Sequence, residues 1–151
     1  MLSTIERVII LKTVSIFAET PDEVLAEVAA ICEEVDAAAG GTIFEKGDLG
    51  DRLYVIIDGK VRVHDGSHTL NFLGERDVFG EMALLDAEPR VASVTAVEDA
   101  RLLRIDQQPF YDLMEDRIEV ARGIIRVLSR HLRARVKDLT DLRAQVNAVA
   151  R

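Results

Sequence analysis

Over residues 3–36 the apolar positions recur at intervals of three and four, the spacing of one helical face, and helix is predicted throughout. Ser3 followed by Glu6 forms a capping box at the start. Thr20-Pro21-Asp22-Glu23 marks a second start: Thr20 can cap, Pro21 suits the first helical position, and Glu23 lies three past the cap. Val24, Leu25, Val28 and Ile31 then continue at helical spacing. The period changes at Ala39-Gly40-Gly41. From Thr42 to Asp106 short apolar runs alternate with turn residues: Ile43-Phe44, Leu53 to Ile57, Val61 to Val63, Thr69 to Leu73, Val91 to Val97 and Leu102 to Ile105. Asp58-Gly59 favours a tight hairpin between two of these runs, and Asp65-Gly66 marks another turn. Short strands at this density predict a sandwich or barrel.

From Gln107 the helical period returns. Pro109 opens a segment carrying Phe110, Leu113 and Met114. A longer one follows, with Ile118, Ala121, Ile125, Leu128, Leu132, Arg135, Leu139, Leu142, Val146 and Val149 on one seam. Alternation of three and four makes this a heptad pattern, interrupted by the charge of Arg135. Two arrangements fit it. The first leucines pack on the strands near Leu128 and Leu132, or the whole helix pairs with a second copy in parallel. Leu139, Leu142, Val146 and Val149 lie beyond the reach of a small strand body, which favours the homodimer.

A chain of 151 residues suits one domain with a sizeable core. Its formal net charge of −8 argues against broad phosphate binding along nucleic acid. Cys32, the one cysteine, falls in an apolar helical pattern and reads as a core thiol in a reducing compartment. Val8-Ile9-Ile10-Leu11, flanked by Glu6, Arg7 and Lys12, is too short and too charged for a signal peptide. A cytoplasmic protein is expected. His64 and His68 flank Asp65-Gly66 without a further ligand nearby, which reads as a solvated hairpin rather than a metal site. With so few ligands on the strands, and no nucleophile beside a matched base, catalysis is not expected.

The most informative stretch is Val78-Phe79-Gly80-Glu81-Met82-Ala83-Leu84-Leu85 with Pro89-Arg90-Val91-Ala92-Ser93-Val94. A glycine opening a short helix exposes backbone N–H groups to an anion. Arginine adds a planar fork for two phosphate oxygens. Glu81 can accept hydroxyl protons from a sugar. Phosphate and sugar clamps together suit a nucleotide.

This stretch resembles the phosphate-binding cassette of the cyclic-nucleotide-binding domain family. That family supplies the sensory modules of the catabolite gene activator, of the regulatory subunit of cyclic-AMP-dependent protein kinase and of cyclic-nucleotide-gated channels. The upstream run Phe44-Glu45-Lys46-Gly47-Asp48-Leu49-Gly50-Asp51-Arg52-Leu53-Tyr54-Val55-Ile56, ending in Gly59, is similar to the family's glycine-punctuated opening strands. The resemblance covers roughly residues 15–135. It implies a mainly β domain with flanking α, a double-stranded β-helix or jelly roll. N-terminal helices would occupy residues 1–38, the roll 39–106 with its cassette at 79–94, and the C-terminal helices 107–151. It implies that Arg90 pairs with the cyclic phosphate, that Glu81 holds the ribose 2′-hydroxyl and that Gly80 lets the backbone approach the sugar. Backbone N–H groups of Met82, Ala83, Val91 and Ala92 would complete the anion site. Val63, Leu73, Met82 and Leu84 would wall the sugar and base. Arg126, Leu128, Arg130 and Arg133 are candidates for a lid, and the cassette and residues 110–115 for the moving parts.

Val91 departs from the small or hydroxylated residue common after the cassette arginine. It removes a hydroxyl that could bond a guanine, which favours cyclic AMP over cyclic GMP, and its extra methyl is expected to crowd the pocket. The expected function is therefore a regulatory module that senses cyclic AMP and transmits occupancy through its C-terminal helices. The alternative is a ligand-free scaffold or dimerisation domain with a disabled pocket. The family's transcription factors continue into a helix-turn-helix; no room for one remains before Arg151, so the effector is expected outside this chain.

Overall fold

The computed structural model describes residues 1–150. The N-terminal stretch holds two helices, α1 (Thr4–Leu11) and α2 (Asp22–Ile31), with a 3-10 turn at Ser15–Phe17 between them. Ser3 and Glu6 form the expected reciprocal cap on α1. α2 is capped differently from expectation. Pro21 is its N-cap residue, and the Thr20 hydroxyl is buried without a hydrogen-bond partner. Cys32 ends α2 in extended backbone. Its thiol donates to the Val28 carbonyl, and burial pushes it up to about 12.

The helix predicted to residue 36 stops there, and Glu33–Ala37 is strand β1. Pairing with a distant strand, β10 (Ala100–Asp106), overrides the local signal. Glu33 faces Arg104 at 2.6 Å and Asp36 faces Arg101 at 3.2 Å across that ladder. The roll thus begins before residue 39, inside the segment expected to hold only helices.

Two antiparallel four-stranded sheets form the roll. One has the order β1, β10, β4 (Arg52–Asp58), β7 (Val78–Phe79). The other has β2 (Thr42–Phe44), β9 (Ser93–Ala96), β5 (Val61–Asp65), β6 (His68–Leu73). A short ribbon joins β3 (Leu49–Gly50) to β8 (Glu88–Pro89). Asp65-Gly66 turns the β5–β6 hairpin as expected. Asp58-Gly59 does not make a hairpin, because β4 and β5 lie in different sheets. Gly59, at φ +100°, carries the chain from one sheet to the other, and a Cβ there would sit 2.5 Å from the Asp99 carbonyl oxygen.

The period of two along β4 and β10 divides the interior into two cores. Tyr54, Ile56, Ala100 and Leu102 point between the sheets, with Val61 and Val94. Leu53, Val55, Leu103 and Ile105 point the other way, onto the helices, with Leu11, Phe17, Leu25, Leu84, Phe110 and Val120. Both faces of β4 are covered, which accounts for its unbroken apolar run. α4 (Gln107–Asp116) is buried through Phe110, whose ring meets Phe17 edge-on at 5.8 Å. α5 (Ile118–Val149) follows after Arg117, whose backbone (φ −131°, ψ 83°) breaks the two helices apart. The break therefore lies after residues 110–115, which are continuous helix. α5 faces the body through Val120, Gly123, Ile124 and Val127. Gly123 packs so closely that an added Cβ would sit 3.1 Å from the Thr20 hydroxyl. The heptad residues lie on another face. Ile125, Leu132, Leu139, Leu142 and Val146 are all exposed, and Leu128 is 37% exposed.

Arg76 is the one non-glycine residue with positive φ (+73°) among the described residues, in the turn between β6 and β7. An L side chain pays a steric penalty there that glycine does not. Replacing Arg76 by glycine is expected to stabilise the fold by about 1 kcal/mol, since relief of that strain outweighs the added freedom of the unfolded chain. Chemical denaturation would show a raised midpoint with unchanged slope; a lowered midpoint would contradict this account.

Candidate functional site

β7 delivers the chain to Gly80, which has φ +84° and caps α3 (Glu81–Leu85). A Cβ on Gly80 would lie 2.3 Å from the Arg52 carbonyl oxygen and 3.0 Å from Arg90 Nη1, so this position admits no side chain without displacement. α3 is anchored from below by Leu84, fully buried in the helix-side core. Leu84 is therefore an anchor and not a wall of the site. The C-terminal carbonyl groups of α3 are taken up by α4. Gln107 Nε2 donates to the Leu84 oxygen at 3.2 Å, and the Tyr111 hydroxyl donates to the Leu85 oxygen at 2.5 Å.

The chain then returns through β8 against β3. Arg90 is clipped by its own backbone: its N–H donates to the Asp48 carbonyl at 2.7 Å, and its carbonyl accepts from Gly47 at 2.8 Å. Its side chain is held as firmly. The guanidinium carbon lies 4.0 Å from the centroid of the Phe44 ring. On Gly50 a Cβ would fall 2.5 Å from Arg90 Nε and 2.7 Å from Cζ, so the missing side chain is what makes room for the arginine. Arg90 Nη2 donates to the Arg52 carbonyl at 3.0 Å. Burial lowers this guanidinium from its ordinary value, opposed by the Asp51 and Asp48 carboxylates.

These elements surround an open cavity of about 480 Å³. Of the candidates, Gly80, Glu81, Met82, Ala83, Arg90, Val91, Ala92 and Val63 all line it. Leu73 does not: it packs against the core between the sheets. Val91 stands at the mouth, 87% exposed, so its extra methyl leaves the interior open instead of crowding it. Glu81 is already engaged, since its Oε2 accepts from the Ser15 hydroxyl at 2.8 Å. Arg126, Leu128, Arg130 and Arg133 do not line the cavity; Arg130 pairs with Glu19 beside the 3-10 turn. His64 bonds the Gly66 carbonyl and the Thr95 hydroxyl, each at 2.8 Å, which makes it a hairpin residue. No metal-binding cluster of His, Cys, Asp or Glu occurs among the described residues.

Sequence reasoning missed Phe44, Gly50, Ser15, Gln107 and Tyr111. Gly50 lay within a noticed glycine pattern, but its role needs the position of Arg90 across the β3–β8 ribbon. The other four act through contacts far along the chain and leave no local signal. A larger open depression, about 560 Å³, lies beside Asp36, Asp58, Asp99 and Arg101. Three carboxylates against one arginine make it unfavourable for an anion.

Residues 34–117 match the family model described as the cyclic nucleotide-binding domain. Over 138 residues the chain is 35% identical to the CRP-like cAMP-activated global transcriptional regulator of Mycobacterium tuberculosis, covering 88% of this chain and 62% of that protein. Over 116 residues it is 40% identical to the Cyclic AMP receptor protein of Thermus thermophilus, covering 67% of this chain and 54% of the relative. The chain thus spans less than two thirds of the length of either relative. Among solved structures, the N-terminal domain of a transcriptional regulator from Streptomyces coelicolor superimposes with a TM-score of 0.80 at 36% identity, covering 86% of this chain and 94% of that one.

Gly80→Ala is expected to cost about 2 kcal/mol or more in stability, because positive φ and the Arg52 carbonyl both oppose a Cβ. Thermal unfolding of the variant tests this. An unchanged midpoint would mean that the approach of Gly80 to Arg52 is looser than the geometry indicates.

Proposed function

The chain belongs to the cyclic nucleotide-binding domain family, and from that premise we propose that it is a regulatory module whose ligand is cyclic AMP. The observation that carries this reading is Arg90, held at the wall of an open cavity that Gly80 and Glu81 also line. A fixed guanidinium can meet two exocyclic phosphate oxygens. The Met82 and Ala83 N–H groups begin α3, where intrahelical acceptors are lacking, and add donors to the same anion. Glu81 supplies the acceptor for the ribose 2′-hydroxyl. Val63, Phe79, Met82 and Val94 provide apolar surface for the base. Val91 brings no hydroxyl to a guanine amino group, which supports cyclic AMP over cyclic GMP. The names of the two relatives, a cAMP-activated regulator and a cyclic AMP receptor, point the same way.

A ligand shifts an equilibrium only through better contacts with one state. The cassette touches two elements that lead to α5. Ser15 ties Glu81 to the 3-10 turn, and that turn packs on α5 where Gly123 meets Glu19 and Thr20. Gln107 and Tyr111 tie the other end of α3 to α4, which leads through Arg117 into α5. A cassette that closes on nucleotide would therefore pull on the first turns of α5 by two routes. We assign the module a regulatory and not a catalytic role, in the cytoplasm; no helix among the described residues is long and apolar enough to cross a membrane. The exposed seam of α5 is assigned to a parallel homodimer, with Arg135 snorkelling at the interface. An effector domain or protein coupled to α5 would read the change.

Calorimetry should show saturable binding of cyclic AMP, with cyclic GMP weaker. Arg90→Gln should weaken cyclic AMP by about 3 kcal/mol, roughly a hundredfold, through loss of a charged donor pair. Equal affinities for wild type and variant would refute the site. Sedimentation should give a dimer that Leu139→Glu converts to monomer while nucleotide still binds. A wild-type monomer at all concentrations would remove the dimer from the reading.

A further inference from the structure

We propose that Phe44 is a positioning residue for Arg90: its ring is a platform that presents the guanidinium edge-on to the cavity. A guanidinium is a flat plate with two faces and a donor-bearing rim. Here the Phe44 ring lies 4.0 Å from the guanidinium carbon. The side-chain-free backbone of Gly50 lies close enough to Nε and Cζ to exclude a Cβ. Part of the rim is also committed, since Nη2 donates to the Arg52 carbonyl at 3.0 Å. Nη1 lies beside the α carbon of Gly80, which bears no side chain. Arg90 and Gly80 both line the cavity.

Without the ring, the side chain has other partners. Asp48 and Asp51 lie near enough to act on its charge, and Glu88 lines the same cavity. An arginine drawn onto one of these carboxylates would have to be pulled away before gripping a phosphate. The ring opposes this with attraction that is orientational and does not use up donors. Phe44 is itself fixed. It contacts Phe79 at 5.9 Å and Tyr54 at 6.2 Å between ring centroids, and Tyr54 stacks on Phe79 at 5.0 Å. Phe79 immediately precedes Gly80, so the cluster that aims Arg90 also holds the start of the cassette.

The inference rests on the assignment of the cavity to a cyclic nucleotide for what Arg90 grips, but not for how Arg90 is held. Two measurements on the full chain separate these. In the nucleotide-free protein, Arg90 Hε should resonate upfield from the ring current of Phe44, and Phe44→Leu should abolish the shift. In calorimetry with cyclic AMP, Phe44→Leu should bind roughly tenfold more weakly and Phe44→Tyr within about threefold of wild type, with all three unfolding at similar temperatures. Full affinity in Phe44→Leu, or equal losses in the leucine and tyrosine variants, would overturn the proposal. So would an unshifted Arg90 resonance in wild type. A wild-type protein that shows the shift but takes up no cyclic AMP would leave the platform standing and sink the ligand assignment instead.

Discussion

Immobilising one guanidinium is the constraint around which this molecule is arranged. An arginine free in solvent spends much of any anion interaction on ordering its own side chain. Arg90 has met that cost in the fold. Its backbone is clipped on both sides to the Gly47–Asp48 turn, its guanidinium lies against Phe44 and leaves no room for a side chain at Gly50, and one of its nitrogens is tied to Arg52. The glycines at 50 and 80 follow from this placement, because a Cβ at either would collide with the arginine or with the carbonyl that orients it. The two-strand ribbon of β3 and β8 has the same origin: it brings residues 47–50 across to residues 88–90.

A fixed charge alone makes a binding site, not a sensor. Sensing needs a part that moves and a part that reports. The five-residue α3 is too short to persist by its own hydrogen bonds. It is held by Leu84 in the core, by Ser15 at one end and by Gln107 and Tyr111 at the other. A helix maintained mostly by its neighbours transmits displacement to those neighbours. Ser15 and Tyr111 belong to different elements, yet both lead to α5.

Much of this was legible in the chain and some of it was not, for identifiable reasons. The jelly roll could be read because turns and apolar runs alternate at short range. That Gly80, Glu81 and Arg90 come together could be read because they fall in one short pattern, and all three line one cavity. β1 could not, because Glu33–Ala37 has no strand signal of its own and is stabilised by arginines on a strand about seventy residues away. Asp58-Gly59 resembled a hairpin because turn chemistry reports a reversal of the chain and not which sheet receives it. Leu73 resembled a pocket wall, but alternation gives two faces to a strand and leaves open which part of the interior each residue meets. Phe44 showed only as an apolar strand residue. Its role exists because Arg90, forty-six positions later, folds over it.

The long helix shows how an ambiguous pattern resolves. α5 carries two sets of apolar residues at helical spacing, and the chain alone does not say which is buried. Val120, Ile124 and Val127 are buried against the body. At 3.6 residues per turn, the seam of Ile125, Leu132 and Leu139 lies roughly a third of a turn round from them. One helix can therefore hold the sensor on one face and offer another face to a partner without competition between the two. Gly123 lies on the inner face, where the close approach of Glu19 and Thr20 leaves little room for slippage. Displacement of the 3-10 turn would for that reason rotate or tilt α5 as a body, and every residue of the outer seam would move with it. A heptad interface depends on register along its whole length, so in the proposed dimer a small shift near Gly123 would be felt as far as Val146.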